Sequence, residues 1–182
     1  MFPDWLSAEE AARLEAHFAL LTRWNRRLNL TRISDRAEAI ERHYNEGLFV
    51  ARHLPAGPLR VVDIGSGAGF PGFPVAVTRP DLEVTLVESH QRKAAFLKEA
   101  SRGMGNIRVL ARRAEEVPDV FDWAVSRAVS YEDLGGVLGK LAANAALLTG
   151  AEAPPEGMGF AWEPAIPLPA SKQRFLRMGH RR

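Results

Sequence analysis

One stretch limits what this chain can fold into more than any other: Arg60-Val61-Val62-Asp63-Ile64-Gly65-Ser66-Gly67-Ala68-Gly69-Phe70-Pro71-Gly72. The β-branched apolar run Val61-Val62-Asp63-Ile64 predicts a strand buried in a parallel sheet. It passes without a spacer into glycines at alternate positions, which let the backbone turn at positive φ and let a ligand approach with no Cβ in the way. The apolar segment Phe73 to Val77 then predicts a short helix, whose first turn collects unpaired N–H groups.

The glycine spacing narrows the ligand. Phe70 stands three after Gly67, so the loop is not the G-x-G-x-x-G of dinucleotide oxidoreductases. An acid two before the first glycine (Asp63) followed by G-x-G-x-G resembles the first motif of class I S-adenosylmethionine-dependent methyltransferases. In such a fold a second acid belongs at the end of the next strand, where it meets ribose hydroxyls. Glu83-Val84-Thr85-Leu86-Val87 reads as that strand and Glu88 ends it.

The rest of the chain supplies alternating elements. Ser7-Ala8-Glu9-Glu10 is a capping box opening an amphipathic helix whose apolar stripe runs Ala11, Leu14, Phe18, Leu21, Trp24, Leu28. Asp35 or Ser34 caps a second helix toward Leu54, carrying His43, and Pro55-Ala56-Gly57-Pro58 ends it. Further strands are expected at 107–110, 121–126 and 145–148, with helices at 89–102 and 132–141 between them. Two closing strands, 159–166 and 174–179, follow the irregular link 151–157. This alternation predicts an α/β fold: an open Rossmann-like sheet, parallel except at its last strand, with helices on both faces. Residues 1–56 are expected to form an N-terminal helical cap and 57–182 the core of a single domain.

Ligands of such sheets bind beyond the carboxyl ends of the strands. Four segments fall there: the Gly65–Gly72 loop, Glu88, Ala114-Glu115 and Ser126-Arg127. The glycine loop is expected to hold the methionine part of the cofactor with Asp63 bracing it. Glu88 is expected to take the ribose, and the Ala114-Glu115 backbone the adenine edge. Arg127 stands where a cofactor carboxylate or a nucleotide substrate is met. Phe70 and Arg127 are candidates to stack on or orient a base, with His43 on the same rim.

Other features bear on the partner. The only lysines are 93, 98, 140 and 172, so 20 of the 24 basic residues are arginine. That suits phosphate and base recognition, and equally suits a GC-rich genome. There is no cysteine, hence no disulfide or thiolate metal site, and no histidine pair at metal-ligand spacing. No apolar run reaches the ~20 residues that span a bilayer. The amino terminus shows no secretory signal, and a cytoplasmic location is expected.

Asn29-Leu30-Thr31, Arg42-His43-Tyr44-Asn45-Glu46-Gly47-Leu48, Asp63 through Gly72, Arg79-Pro80, Arg112 through Glu116, and Phe121-Asp122 through Ser126-Arg127-Ala128 resemble, in order, the bacterial ribosomal RNA small subunit methyltransferase G family. This family is also called glucose-inhibited division protein B. The resemblance implies transfer of a methyl group from S-adenosylmethionine to N7 of a guanine in 16S rRNA, by a monomer acting on the small ribosomal subunit. It implies cofactor contacts at Gly65, Phe70, Ala114, Glu115 and Arg127, which join Gly67 and Glu88 from the loop argument. It implies no acid–base catalyst, because guanine N7 offers its own lone pair. The chain departs from the family at Asn45-Glu46-Gly47, where Asp-Ser is usual before leucine, and at Thr149-Gly150, where a lysine is usual. The helix expected after the fifth strand is also missing. Another RNA, a small-molecule acceptor, or a cofactor-binding module without activity therefore remain alternatives.

Overall fold

The computed structural model describes residues 1–169 and 171–182. Its first helix, α1 (Ala8–Leu28), starts on the expected capping box: the Ser7 hydroxyl accepts from the Glu10 N–H while the Glu10 carboxylate accepts from the Ser7 N–H. Asn29 ends it in the left-handed conformation. A single helix was expected from Asp35 to Leu54. Instead α2 (Arg36–Ala39) passes into a π-helical turn at Ile40–Tyr44 before α3 (Asn45–His53). The wider turn accommodates one extra residue, and it turns His43, Tyr44 and Glu46 inward together.

The core strands are β1 (Arg60–Ile64), β2 (Glu83–Val87), β3 (Ile107–Leu110), β4 (Phe121–Arg127) and β5 (Ala142–Thr149). Between them lie α4 (Gly72–Thr78), α5 (Gln91–Ala100), a 3-10 turn at Ala114–Glu116, α6 (Tyr131–Gly135) and α7 (Leu138–Leu141). The one helix predicted over 132–141 is thus two, because adjacent Gly135 and Gly136 are poor helix formers and Val137 leaves helical geometry. β5 begins earlier than its apolar run suggests, since Ala142 is already paired with Phe121. Beyond a 3-10 turn at Glu156–Met158 come β6 (Phe160–Trp162), β7 (Ile166–Pro167) and β8 (Phe175–Arg181).

The sheet order is β3-β2-β1-β4-β5-β8-β6, with β7 also on β8. β1 to β5 are parallel to one another and β8 is antiparallel to β5. Trp162 faces Gly179 whereas Ile166 faces Leu176, a one-residue bulge between β6 and β7. Side chains alternate between two cores. Val61, Val84, Leu86 and Val125 join the α1–α5 side, and Val62, Ile64, Val87 and Ala124 join the α6–α7 side. Leu14 and Leu21 of α1 and Tyr44 and Leu48 of the second helical region are buried in the first of these cores, so the N-terminal helices are packed onto the sheet layer. No helix among the described residues is long and apolar enough to cross a membrane.

Candidate active site

Strand register gathers the site. Ile64 stands beside Val87 on one side and Ser126 on the other, and Val87 stands beside Leu110. The carboxyl ends of β1, β2, β3 and β4 are therefore level, and Gly65, Glu88 and Arg127 leave the sheet along one edge. The Ser126 hydroxyl ties this edge together by donating to the Ile64 carbonyl at 2.8 Å.

The loop after β1 is held from beneath. Gly65 and Ser66 N–H both donate to the Val87 carbonyl at 3.0 Å, and Gly65, Gly67 and Gly69 all have positive φ. Asp63, fully buried, accepts from the Gly72 N–H at 2.9 Å through Oδ2, while Oδ1 has no partner among the described residues. Burial pushes its pKa up to about 7, against the opposing pull of the Gly72 hydrogen bond. Gly72 has to be glycine here, because a Cβ would stand 2.5 Å from Leu86 and 2.7 Å from Asp63. Glu88 closes the loop from the β2 side, accepting from Gly67 N–H at 2.9 Å and from His90 N–H at 2.8 Å. Ala114, partly buried against the Val62–Ile64–Val87 side of the core, and exposed Glu115 follow β3 on the same edge.

Phe70 lies deeper than its proposed role in stacking on a base requires. Its ring is 6% exposed, stacked on His43 with centroids 4.7 Å apart and met edge-on by Tyr44 and His17. The ring anchors the loop to the N-terminal helices, leaving only its backbone near the cleft.

Arg127 is not an open cation either. Its guanidinium donates to His43 Nδ1 and lies 3.4 Å from Glu46, which also pairs with Arg174, the residue just before β8. A guanidinium on Nδ1 requires a lone pair there, so His43 is neutral and its Nε2–H donates to the Thr31 hydroxyl at 2.8 Å. Asn25 in turn clamps Thr31, accepting its N–H and donating to its carbonyl. Burial pushes His43 down to about 3, helped by the Arg127 and Arg174 charges. Burial likewise lowers Arg127 to about 10, and it raises Glu46 despite the opposing arginines. Ala128, at positive φ, then turns the chain so that Val129 covers Gly65.

Sequence reasoning missed Glu46 as the shared partner of Arg127 and Arg174. It also missed His17, which is wholly buried with Nδ1 2.7 Å from the Tyr44 hydroxyl. His17 lies on the buried stripe of α1 with Leu14 and Leu21, and that spacing is a signal for it. Nothing local marks Glu46–Arg174, a contact between distant parts of the chain.

Two buried neutral histidines set an acid limb. Burial holds His17 at about 3, as it does His43, below an ordinary value of 6.5. Between those limits the unfolded chain binds protons that the fold refuses, so stability falls as pH drops below 6.5. Asp63 acts in the opposite sense: raised from 3.8 to about 7, it favours the fold on acidification across that window. Glu46, which burial also raises, acts with Asp63, so the two carboxylates offset part of the histidine decline. His17→Phe is expected to flatten the decline by about one proton, close to tenfold in the folding constant per pH unit. Urea unfolding at pH 7, 6 and 5 measures this, and identical slopes in both proteins would refute it.

Residues 10–138 match the family model described as rRNA small subunit methyltransferase G. The chain belongs to that family. A relative of this name from Xanthomonas campestris pv. campestris (strain B100) is 42% identical over 137 residues, 73% of this chain and 63% of the relative. One from Halorhodospira halophila (strain DSM 244 / SL1) is 43% identical over 148 residues, 79% of this chain and 70% of the relative. The chain thus spans less than two thirds of the length of the Xanthomonas rRNA small subunit methyltransferase G. Among solved structures, a SAM-dependent methyltransferase from Aquifex aeolicus aligns with a TM-score of 0.64 at 16% identity, over 83% of this chain and 96% of that one. Magnesium protoporphyrin IX methyltransferase from Synechocystis PCC 6803, solved with bound SAM, gives 0.65 at 14% identity over 99% and 100%. The fold of this methyltransferase G family member is therefore the class I, Rossmann-like one expected from its sequence.

Proposed function

We propose that this chain binds S-adenosylmethionine at the carboxyl edge of β1–β4 and methylates N7 of a guanine in 16S rRNA. The observation that carries the reading is the level register of those four strand ends, which puts the glycine loop, Glu88, the Ala114-Glu115 segment and Arg127 on one rim in a member of this family. The residues fit the cofactor. A Cβ at Gly67 would meet nothing nearer than 3.9 Å, so the loop presents an open backbone face beside the Glu88 carboxylate, an acceptor suited to a ribose diol. Gly65, Gly67, the Phe70 backbone, Glu88, Ala114, Glu115 and Arg127 would hold it, and the bound cofactor supplies an electrophilic methyl group.

The chain's own residues then orient and exclude water. Guanine N7 needs no base, and the neighbouring ionisable groups are not poised as one: the His43 lone pair is occupied by Arg127 and Glu46 is paired twice. Positioning in a cleft is a sufficient source of acceleration. We read residues 1–182 as one domain capped by the N-terminal helices, monomeric and cytoplasmic.

Incubation with labelled S-adenosylmethionine and small ribosomal subunits from a strain lacking this modification tests the reading. Incorporation of N7-methylguanine into 16S rRNA is expected. Label in another RNA or in a small molecule would shift the substrate class, and cofactor binding with no transfer to any acceptor would leave a binding module.

A further inference from the structure

Near the carboxyl end of α1 lies a concavity of about 390 Å³, lined by Arg23, Trp24, Arg26, Arg27, Leu28 and Arg92. Its arginines come from two helices. α1 runs along α5 so that Trp24 meets Phe96 edge-on and donates to Glu99, which also pairs with Arg23 at 2.5 Å. The last turn of α1 thereby comes beside the first turn of α5, where Arg92 stands. The exposed Arg26, Arg27 and Arg92 form no ion pair or side-chain hydrogen bond with any described residue, and no acid occurs between Glu15 and Asp35. Three like charges gathered in one hollow repel one another, an arrangement that a polyanion relieves. Each element leads to the cleft. α5 begins just after Glu88 and His90, and α1 ends just before Thr31, which holds His43.

We infer that this groove is a phosphate-binding track for the RNA substrate, with Arg26, Arg27 and Arg92 meeting consecutive backbone phosphates and the Trp24–Leu28 wall meeting a sugar or base. The track delivers the strand along the α1–α5 seam to the rim at Glu88 and Arg127. The inference rests on the RNA reading above, and the chemistry is sequence-independent: arginine forks on phosphate oxygens.

The test is binding of isolated 16S rRNA, followed over a range of salt concentrations, to the wild-type chain and to the triple variant Arg26→Ala, Arg27→Ala, Arg92→Ala. Loss of three phosphate contacts is expected to weaken binding about 10- to 100-fold at physiological salt and to lower the log–log salt slope by about 2–3. The triple lysine variant should keep most of the slope, and Arg182→Ala, on the opposite edge of the sheet, should leave affinity near wild type. Titration with S-adenosylhomocysteine and the melting temperature should be unchanged in the alanine variant, since all three side chains are exposed. A wild-type chain that binds and methylates rRNA, with a triple variant of equal affinity and slope, overturns the groove and leaves the enzyme reading standing. A wild-type chain with no salt-dependent RNA affinity overturns both.

Discussion

Gly65→Arg is expected to abolish S-adenosylhomocysteine binding, weakening it beyond about 100-fold in a calorimetric titration. Two independent obstacles add. Gly65 sits at φ +71, where a side chain costs roughly 1–2 kcal/mol. Its Cβ would also stand 2.6 Å from the Val129 methyl, and the rest of the arginine would have to fill the mouth of the glycine loop. Gly103→Ala is the matched control. Its φ is +79, yet nothing lies within 4 Å of a Cβ there, so it should lose comparable backbone energy and bind normally. Equal binding by wild type and Gly65→Arg would move the cofactor away from this loop.

Glu46→Ala should lower stability by about 3–5 kcal/mol, the usual result of stripping the partner from buried charges. Glu46 is the counter-ion of both Arg127 and Arg174, whose side chains are 14% and 19% exposed. Without it two mutually repelling guanidiniums lose their shared counter-ion. For a chain of this size the loss corresponds to a fall in melting temperature of roughly 6–20 °C. Glu46→Gln keeps the shape and one acceptor, and it should fall between the two. Scanning calorimetry on the three proteins decides the matter; an unchanged melting point for Glu46→Ala would show that the cluster contributes nothing to the fold.

The contrast between these two sites explains what was legible in the sequence. The glycine loop, its bracing Asp63 and terminal Glu88 are separated by one strand–helix–strand unit, so spacing along the chain encodes their meeting. The Ser7–Glu10 box is legible for the same reason. Glu46 and Arg174 have no such code, because their contact depends on where β8 enters the sheet. The π-helical turn escapes periodicity because one inserted residue shifts the apolar stripe only locally while turning His43 and Tyr44 inward. Phe70 was legible as part of the loop but not as buried: an aromatic residue after glycines suits either a cleft or an anchor. The decision falls to His17 and Tyr44, side chains of other elements.

The order of strands at the far edge has a consequence for synthesis. β6 and β7 emerge from the ribosome before β8, yet among the described residues each pairs only with β8. Until that last strand threads between β5 and β6, the segment from Phe160 to Pro167 has no sheet to join, and β5 offers a bare edge to any other nascent chain. Arg174 arrives with the same strand, so the charge cluster around Arg127 is completed late as well. A ribosome stalled before Arg174 would therefore display glycine loop, Glu88 and helical cap in order, with the arginine rim still unassembled.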